Sequence, residues 1–191
     1  MTRYHGISTE TVKRFLIDAG AVYVNYGETS ERLLGATRGG NQFVVEQDVK
    51  EIEMDGAKGP VKGARRIVEV RARIVANLLE LTAENLKLAL AGSNMADYPT
   101  SAGKTHDKIT RNRDIVNSDY VTNVALVGNI SGADNPFVGI IKNALAVENM
   151  ELSTEAREEG VLEVTFEGHF DPSNLDAEPW EIRFPVIESG S

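Results

Sequence analysis

The sequence predicts a mainly β fold, a β-sandwich or barrel with one packed α-helix and with long hairpin and loop arms. Apolar residues alternate with polar ones over residues 68–78, which is the two-residue period of a strand with one buried face. Further short strand-like segments are separated by turn residues, and one segment carries the signals of a capped helix. Many strands around one helix are typical of a sandwich or barrel on which the helix packs.

Length and composition indicate one domain. A chain of 191 residues and 20.8 kDa fits a single domain over 1–191, with a long loop or arm at 93–118 and a short flexible C-terminal tail at 187–191. The absence of cysteine excludes disulfides and thiolate metal sites. No apolar run follows the first residues, and none approaches the roughly 18 residues of a membrane helix. We therefore expect no signal peptide, no membrane contact and synthesis in a cytoplasm.

The first apolar segment, residues 8–20, is compatible with two structures. Ser8 is placed to cap a short helix that carries Val12 and Phe15 on one face and ends at Gly20. Alternatively, residues 15–17 begin a strand. The β-branched and aromatic residues that follow, 21–26, favour a strand.

The middle of the chain predicts an unusually long hairpin. Residues 42–54 alternate, but the apolar parity changes along them, which predicts a bulge or bend near Lys50 and Glu51. Turn residues follow at 55–60, and residues 67–81 form the best strand in the chain. Fifteen extended residues span about 45–50 Å, whereas ordinary strands have about five or six residues. Such a strand outruns the core of its own domain, and we expect it to pair with residues 42–54 and to contribute to an intersubunit sheet.

A helix is predicted over residues 82–92, and a loop follows it. Thr82 is a good N-cap, Glu84 suits the first turn, and Gly92 occupies a C-terminal cap position. So short a helix needs a sheet to pack on. Residues 93–118 are polar with almost no periodicity, and we interpret them as an arm or insertion loop. Four further strands are predicted at 120–127, 137–147, 161–170 and 180–186.

Charge is distributed unevenly along the chain. The net charge is −9, yet residues 148–191 contain twelve Asp or Glu against two Arg, a net −10. Two basic clusters lie earlier, at 58–73 and at 104–113. The acidic region and the basic clusters either attract each other between subunits or are ordinary solvent-exposed surfaces. The sequence leaves both interpretations open.

The sequence supports no catalytic, cofactor-binding or metal site. Gly103-Lys104-Thr105 resembles the end of a phosphate-binding loop, but Tyr98 stands where that loop requires glycine. The glycines at 35–40 have no dinucleotide-binding spacing, and a conformational role explains them better. The three histidines share no metal-ligand spacing. Residues 171–178 carry three carboxylates without a calcium-loop pattern, so we expect a solvated turn.

Six segments in a fixed order carry a resemblance to a known family. They are AGAVYVNYG at 19–27, LLGATRGG at 33–40, EMDGAKGPVKG at 53–63, NLLELTAENL at 77–86, FDP at 170–172 and EPWEI at 178–182. This ordered set, rather than any one motif, resembles the major tail (tail tube) proteins of long-tailed, siphovirus-type bacteriophages. The similarity covers most of the chain, with 93–118 matching least.

This resemblance implies a structural protein without enzymatic activity. Such proteins form a β-sandwich with a flanking helix, close into hexameric rings and stack into a tail tube whose lumen conducts genome DNA without sequence-specific binding. The implied partners are further copies of the chain, the tape measure protein, the tail terminator and the distal tail or baseplate proteins. The implied location is the virion tail, after assembly in the cytoplasm of the host bacterium. The resemblance implies no cofactor.

We expect basic side chains to contribute to the contacts between subunits, and the arm at 93–118 to touch a neighbour or the next ring. The predicted interface residues are Arg38, Arg71, Arg73, Lys104, Lys108, Arg111 and Arg113. Three alternatives remain at this point. They are a monomeric β-barrel that binds a small ligand or glycan, an enzyme with an unrecognised carboxylate pair, and a secretion-system tube protein.

Overall fold

The computed structural model describes residues 7, 10–100, 103–152, 157 and 159–187. The described residues form ten strands, one α-helix and two short 3-10 turns, at Thr11–Arg14 and Asn117–Asp119. The helix α1 is Ala83–Leu88. The strands are β1 (Leu16–Val24), β2 (Arg32–Leu33), β3 (Gln42–Glu51), β4 (Arg65–Leu78), β5 (Ser93–Thr100), β6 (Gly103–Arg111), β7 (Val121–Ile130), β8 (Phe137–Ala146), β9 (Leu162–Glu167) and β10 (Trp180–Arg183).

Eight of these strands form one antiparallel sheet that folds over on itself. The strand order is β2-β1-β7-β8-β9-β4-β3, and β10 also pairs with β8. Strand β8 is the hinge between two layers, because its first half pairs with β10 and its last two residues pair with β9. We call β2-β1-β7-β8-β10 the first layer and β3-β4-β9 the second layer. The predicted mainly β fold with one packed helix is thus confirmed.

The corner in β8 has a local cause. Asn143 adopts a positive φ of 48°, which few residues other than glycine tolerate as readily as asparagine. Its side-chain amide donates to the carbonyl oxygen of His169, and the backbone N–H of His169 donates to the carbonyl of Lys142. The chain leaving β9 is therefore held against the bend in β8.

A connecting segment closes the other side of the fold. The backbone N–H of Leu34 donates to the carbonyl of Val22 in β1, and that of Leu79 donates to the carbonyl of Ala36. Thr37 forms an isolated bridge with Leu78 at the end of β4. The segment thus connects both layers and brings the sandwich close to a closed barrel.

The core lies between the two layers and under α1. Its side chains come from the inward positions of β1, β4, β7, β8 and β9, with Phe166, Ile74, Leu78, Ile141 and Leu162 almost fully buried. In β4 the alternation of buried and half-exposed residues runs only from Ala72 to Leu78. The remaining residues of β4 lie outside the core.

Helix α1 is shorter than the sequence indicates. The Thr82 hydroxyl accepts from the backbone N–H of Asn85, as expected of an N-cap, but the helix ends at Leu88 instead of continuing to Gly92. Asn85 is buried, and its amide group donates to the carbonyl oxygens of Leu34 and Glu80. Its own side-chain oxygen accepts from Arg32. The helix is therefore fixed by a polar anchor as well as by its apolar side chains.

The structure settles two segments that the sequence left open or described otherwise. Strand β1 begins at Leu16 after a 3-10 turn, so the strand alternative holds for residues 15–17. The stretch expected to be a loop at 93–118 contains the β5–β6 hairpin. Its sequence shows no alternation of apolar and polar residues, because few of its side chains are buried. Of the expected C-terminal tail, residues 188–191 lie outside the described residues.

Candidate assembly interface

The β3–β4 hairpin extends well beyond the core. Strands β3 and β4 pair over ten residue pairs, as the sequence predicts, from Gln42 opposite Val75 to Glu51 opposite Arg65. Strand β9 covers the other edge of β4 only from Leu78 to Arg73, because the chain then turns toward the first layer. Residues 65–71 of β4, about 23 Å of strand, therefore have no pairing strand on that edge within the described residues.

A bulge divides the hairpin into a core-proximal and a distal part. The register shifts between Asp48, which faces Glu69, and Val49, which faces Ile67. Val68 of β4 is the extra residue, so the irregularity lies close to the predicted place, Lys50 and Glu51, but the bulged strand is β4 and not β3. We call residues 47–70 the distal hairpin. The bulge keeps Val49 and Ile67 on the same side as the inward-facing residues of the proximal part.

One side of the distal hairpin carries an exposed apolar pair. Val49 and Ile67 face each other across the two strands and are 53% and 57% exposed. The next pair on this side, Glu51 and Arg65, forms an ion pair at 3.2 Å, and the tip beyond it carries three exposed apolar side chains, Ile52, Met54 and Val61. Closer to the core this same side is covered, since Phe43 packs over Gly139 of β8. An apolar surface that begins in the core and continues beyond it is typical of a contact with another chain.

The opposite side of the second layer is charged. Alternation along β3, β4 and β9 places five acidic and four basic side chains on it, so the charges nearly balance. The acidic members are Glu46, Asp48, Glu69, Glu163 and Glu167, and the basic members are Lys50, Arg66, Arg71 and Arg73.

Ion pairs order part of this charged side. Arg73 donates to Glu167 at 2.7 Å and lies 3.8 Å from Glu46. The hydrogen bond to Glu167 raises the pKa of the Arg73 guanidinium, and this effect outweighs burial, which lowers the pKa. Arg71 donates to Glu69 at 2.6 Å on the exposed part of the strand. Arg71 and Arg73, two of the predicted interface residues, thus have acceptors within their own chain.

The other predicted interface residues lie elsewhere in the fold. Arg38 pairs with Glu159 at 2.9 Å, and both side chains are more than half exposed. Lys108 and Arg111 are exposed on β6, and Arg113 follows in the connection to β7. The backbone of Lys104 also belongs to β6. The structure therefore gathers the predicted residues into two separate places, the second layer and the β5–β6 hairpin, while Arg38 lies apart.

The β5–β6 hairpin projects from the helix end of the domain. Its base touches α1, and Ser93 donates its hydroxyl hydrogen to the carbonyl of Lys87. Beyond that base the described side chains are exposed or half-exposed, including Tyr98, whose ring meets that of His106 edge-on at 6.3 Å. A two-stranded hairpin without a covered face is only marginally stable by itself. This makes it a second candidate contact surface.

No reactive constellation accompanies these surfaces in the described part of the chain. No group of three or more His, Asp or Glu side chains there is arranged to hold a metal ion. A hollow of about 650 Å³ is lined by Glu148, Glu151, Glu163, Val147, Asn149 and Val161, and it is open and mostly polar. Gly103 and Lys104 belong to a strand, which is not the context of a phosphate-binding loop. No helix among the described residues is long and apolar enough to cross a membrane.

Charge pairs elsewhere on the surface serve local structure. The carboxylate of Glu181 in β10 accepts from Lys142, which lowers its pKa, and Arg183 adds to this effect. In the turn after β9, the Ser173 hydroxyl and backbone N–H donate to Asp171 and lower the pKa of that carboxyl. The Ser173 contacts make Asp171 part of the local turn structure.

The sequence predicts the long hairpin but not the polar anchor at Asn85 or the uncovered pair Val49 and Ile67. Ile67 is out of phase with the apolar positions of residues 68–78, and only the bulge at Val68 turns it to the inward side. Its exposure depends in addition on where β9 turns away. Asn85 carries no local signal, because its partners Leu34 and Arg32 are about fifty residues earlier in the chain.

Comparison with known proteins gives little beyond this geometry. No protein-family model and no curated protein matches the chain. Eleven chains of solved structures do match. One of them is described as "Virion of native gene transfer agent (GTA) particle"; it is 9% identical, has a TM-score of 0.46, and the match covers 80% of this chain and 92% of that chain. At this identity and TM-score the likeness carries no argument about function.

Proposed function

We propose that the protein is a structural, self-assembling subunit of a phage tail tube. In this proposal six copies close into a ring, rings stack into a tube, and genome DNA passes through the lumen. The sequence resemblance to major tail proteins suggests this assembly. The observation that carries it is the distal hairpin, which has an uncovered apolar side and an unpaired strand edge.

Closure into a ring would satisfy both features of the hairpin. The outer edge of β3 and the edge of β4 over residues 65–71 lie on opposite sides of the same hairpin and have no pairing strand among the described residues. Unpaired edges of this kind invite pairing with another chain. If the β3 edge of each copy pairs with the β4 edge of the next copy, every copy uses both edges. The copies then form a closed ring when the rotation from one copy to the next divides 360° evenly.

The two sides of the second layer suggest which one lines the lumen. A water-filled channel favours the charged side, and the apolar side then lies outward, where protein covers it. With five acidic and four basic side chains, this lumen surface would be close to neutral for each subunit. Such a surface presents little net attraction to the phosphates of passing DNA.

The β5–β6 hairpin would provide the second contact of the tube. Its exposed basic side chains, Lys108 and Arg111, suit an acidic neighbour, and the last quarter of the chain is strongly acidic. In the proposal this hairpin reaches an adjacent subunit or the next ring.

The proposal has further parts, all implied by the resemblance. The tube would join the tape measure, tail terminator and distal tail proteins, and it would be a virion component assembled in the bacterial cytoplasm. It would have no enzymatic activity. A secretion-system tube shares this architecture and differs in its cargo.

The test is negative-stain electron microscopy of the purified protein over a concentration series, with light scattering recorded alongside. We expect rings or hollow tubes above a critical concentration. A matched variant shortens the hairpin by joining Gln47 to Val70 through an Asn-Gly turn, which suits a two-residue hairpin connection. This variant should remain folded, with the fluorescence of Trp180, the single tryptophan, unchanged, and should form no tubes.

Two results would contradict the proposal. Tubes that form equally well from the shortened variant would remove the hairpin from the assembly. A parent protein that stays monomeric at every concentration, even with tape measure and distal tail proteins added as nucleators, would favour the ligand-binding β-barrel instead.

A further inference from the structure

The second layer covers the inner side of the first layer only in part. The cover begins at the corner of β8, where Gly168, just after β9, lies against Ile141. It advances along β8 to Gly139, which lies under Phe43 of β3. Strand β3 is the last strand of the second layer among the described residues. The next inward-facing residue of β8, Phe137, therefore lies beyond the cover.

Apolar side chains form an open row at the level of Phe137. Phe137 lies opposite Gly128 of β7, and Leu16 of β1 leans over Gly128 on the same side. On the other flank of β8, Ile182 of β10 faces the same way, and Phe184 follows two positions later. Leu16, Ile182 and Phe184 are 57%, 47% and 60% exposed, and Phe137 is half-buried. We call these four residues the open floor.

A strand added to the outer edge of β3 would lie over the open floor. Neighbouring strands are about 4.8 Å apart, and two residues along a strand span about 6.7 Å. One further strand beside β3 therefore extends the cover by roughly the step from Gly139 to Phe137. The outer edge of β3 has no pairing strand among the described residues, so the added strand would also find backbone hydrogen-bond partners there.

The distal hairpin of another copy has the properties that this place requires. Residues 65–71 of β4 present a free edge seven residues long. Val70 and Ile67 lie next to that edge on the inward side, and Val49 lies opposite Ile67. Both Val49 and Ile67 are more than half exposed, as is most of the open floor, so the two surfaces do not cover each other within one copy.

The outward sides of the two edges carry opposite net charge. Over its free edge β4 has two arginines and one glutamate there, a net +1, whereas β3 has two acidic residues and one lysine, a net −1. Opposite charges on neighbouring strands favour pairing and like charges oppose it. The residues are Arg66, Glu69 and Arg71 in β4, and Glu46, Asp48 and Lys50 in β3.

We propose that the distal hairpin of one subunit pairs its free β4 edge with the outer edge of β3 in a neighbouring subunit and packs Val70 and Ile67 on that subunit's open floor. The inference rests on the proposed ring, and it names the surface that covers the hairpin. In this contact the hairpin supplies the strand that the second layer of its neighbour lacks. The apolar core of the sandwich then continues across each subunit boundary.

A photocrosslinking residue on the open floor tests this contact. Benzoylphenylalanine in place of Phe184, in tubes assembled from a mixture of isotope-labelled and unlabelled chains, should form adducts between chains on irradiation. The cross-linked peptides should lie in residues 47–70. The matched control places the same residue at Leu33, which is 47% exposed on the outer face of the first layer, and should give no adduct with residues 47–70. Adducts of position 184 only within its own chain would overturn the contact, because the chain would then cover its own floor.

Alanine variants give an independent measurement. Ile67→Ala and Phe184→Ala should each raise the critical concentration for tube formation about tenfold. The double variant should raise it by clearly less than the product of the two effects, because the two side chains contact each other across the interface. Ile67→Ala combined with Leu33→Ala should behave like Ile67→Ala alone.

The outcomes separate this contact from the proposed function. Tubes that form without the adduct, together with fully multiplicative effects of the two alanine substitutions, would overturn the contact and leave the proposed function intact. Absence of any ring or tube from the parent protein, even with nucleating tail proteins added, would overturn the proposed function itself.

Discussion

Replacing Ile67 by alanine tests whether the distal hairpin is buried during assembly. The substitution removes three carbon atoms, which are worth about 2.4 kcal/mol on full burial at about 0.8 kcal/mol for each methylene. Ile67 is 57% exposed in the free chain, so assembly newly buries that fraction, and the loss is about 1.4 kcal/mol for each added subunit. This corresponds to about a tenfold rise in the critical concentration for tube formation.

The assay is sedimentation of assembled protein over a concentration series, with light scattering to locate the critical concentration. Leu33→Ala is the matched control, since it also removes three carbons from a residue that is 47% exposed, but on the outer face of the first layer opposite Tyr23. Its critical concentration should not change. If Ile67→Ala behaved like the control, the distal hairpin would not be part of the subunit contact. Both variants should lose a similar, small amount of unfolding free energy, about 1 kcal/mol, because roughly half of each replaced side chain is already buried in the free chain.

Three further variants probe other parts of the molecule. Reversing the charges of Lys108, Arg111 and Arg113 to glutamate should weaken tube formation while leaving the thermal midpoint of the monomer unchanged; normal tubes would exclude the β5–β6 hairpin from the contact. Asn85→Ala leaves buried partners unpaired, and we expect its free energy of unfolding, measured by urea with tryptophan fluorescence, to fall by about 2–3 kcal/mol. A fall of less than about 0.5 kcal/mol would contradict the anchoring role of Asn85. The pKa of Glu181 is lowered in the folded protein, so its contribution to stability is present above the ordinary value of 4.5 and is lost as the pH falls through the lowered value. Glu181→Gln should therefore be less stable than the parent at neutral pH and lose less stability on acidification, and identical pH profiles of the thermal midpoint would contradict this.

The long hairpin was predictable because its signal is local. Alternation over residues 68–78 indicates a strand and its buried side. The parity change in residues 42–54 predicts an irregularity in β3, whereas the extra residue is Val68 of β4, opposite the step from Asp48 to Val49. Its pairing with residues 42–54 followed from adjacency and from the turn residues between the two strands. The extent of the helix was overestimated, because capping signals mark possible ends and tertiary contacts decide where the last turn closes.

The β5–β6 hairpin escaped prediction for a physical reason. A strand acquires an alternating sequence when one of its faces is buried, and this hairpin is mostly exposed on both faces. The predicted interface residues show a related effect, because the sequence does not reveal an ion-pair partner that lies far away along the chain. Arg73 reads as a free basic side chain in the sequence, yet its acceptor Glu167 is ninety-four residues later in the chain.

The sequence by itself determined that the chain is a β protein with one helix, that one hairpin exceeds its core, and that acidic and basic regions are segregated. These properties depend on local periodicity and composition. The tertiary structure alone decided that β9 turns away at Ala72, leaving residues 65–71 unpaired, and that β1 and β10 are the open edges of the first layer. Such features depend on which distant strands meet, and in an antiparallel sheet that choice is made by packing across the core rather than by any single segment.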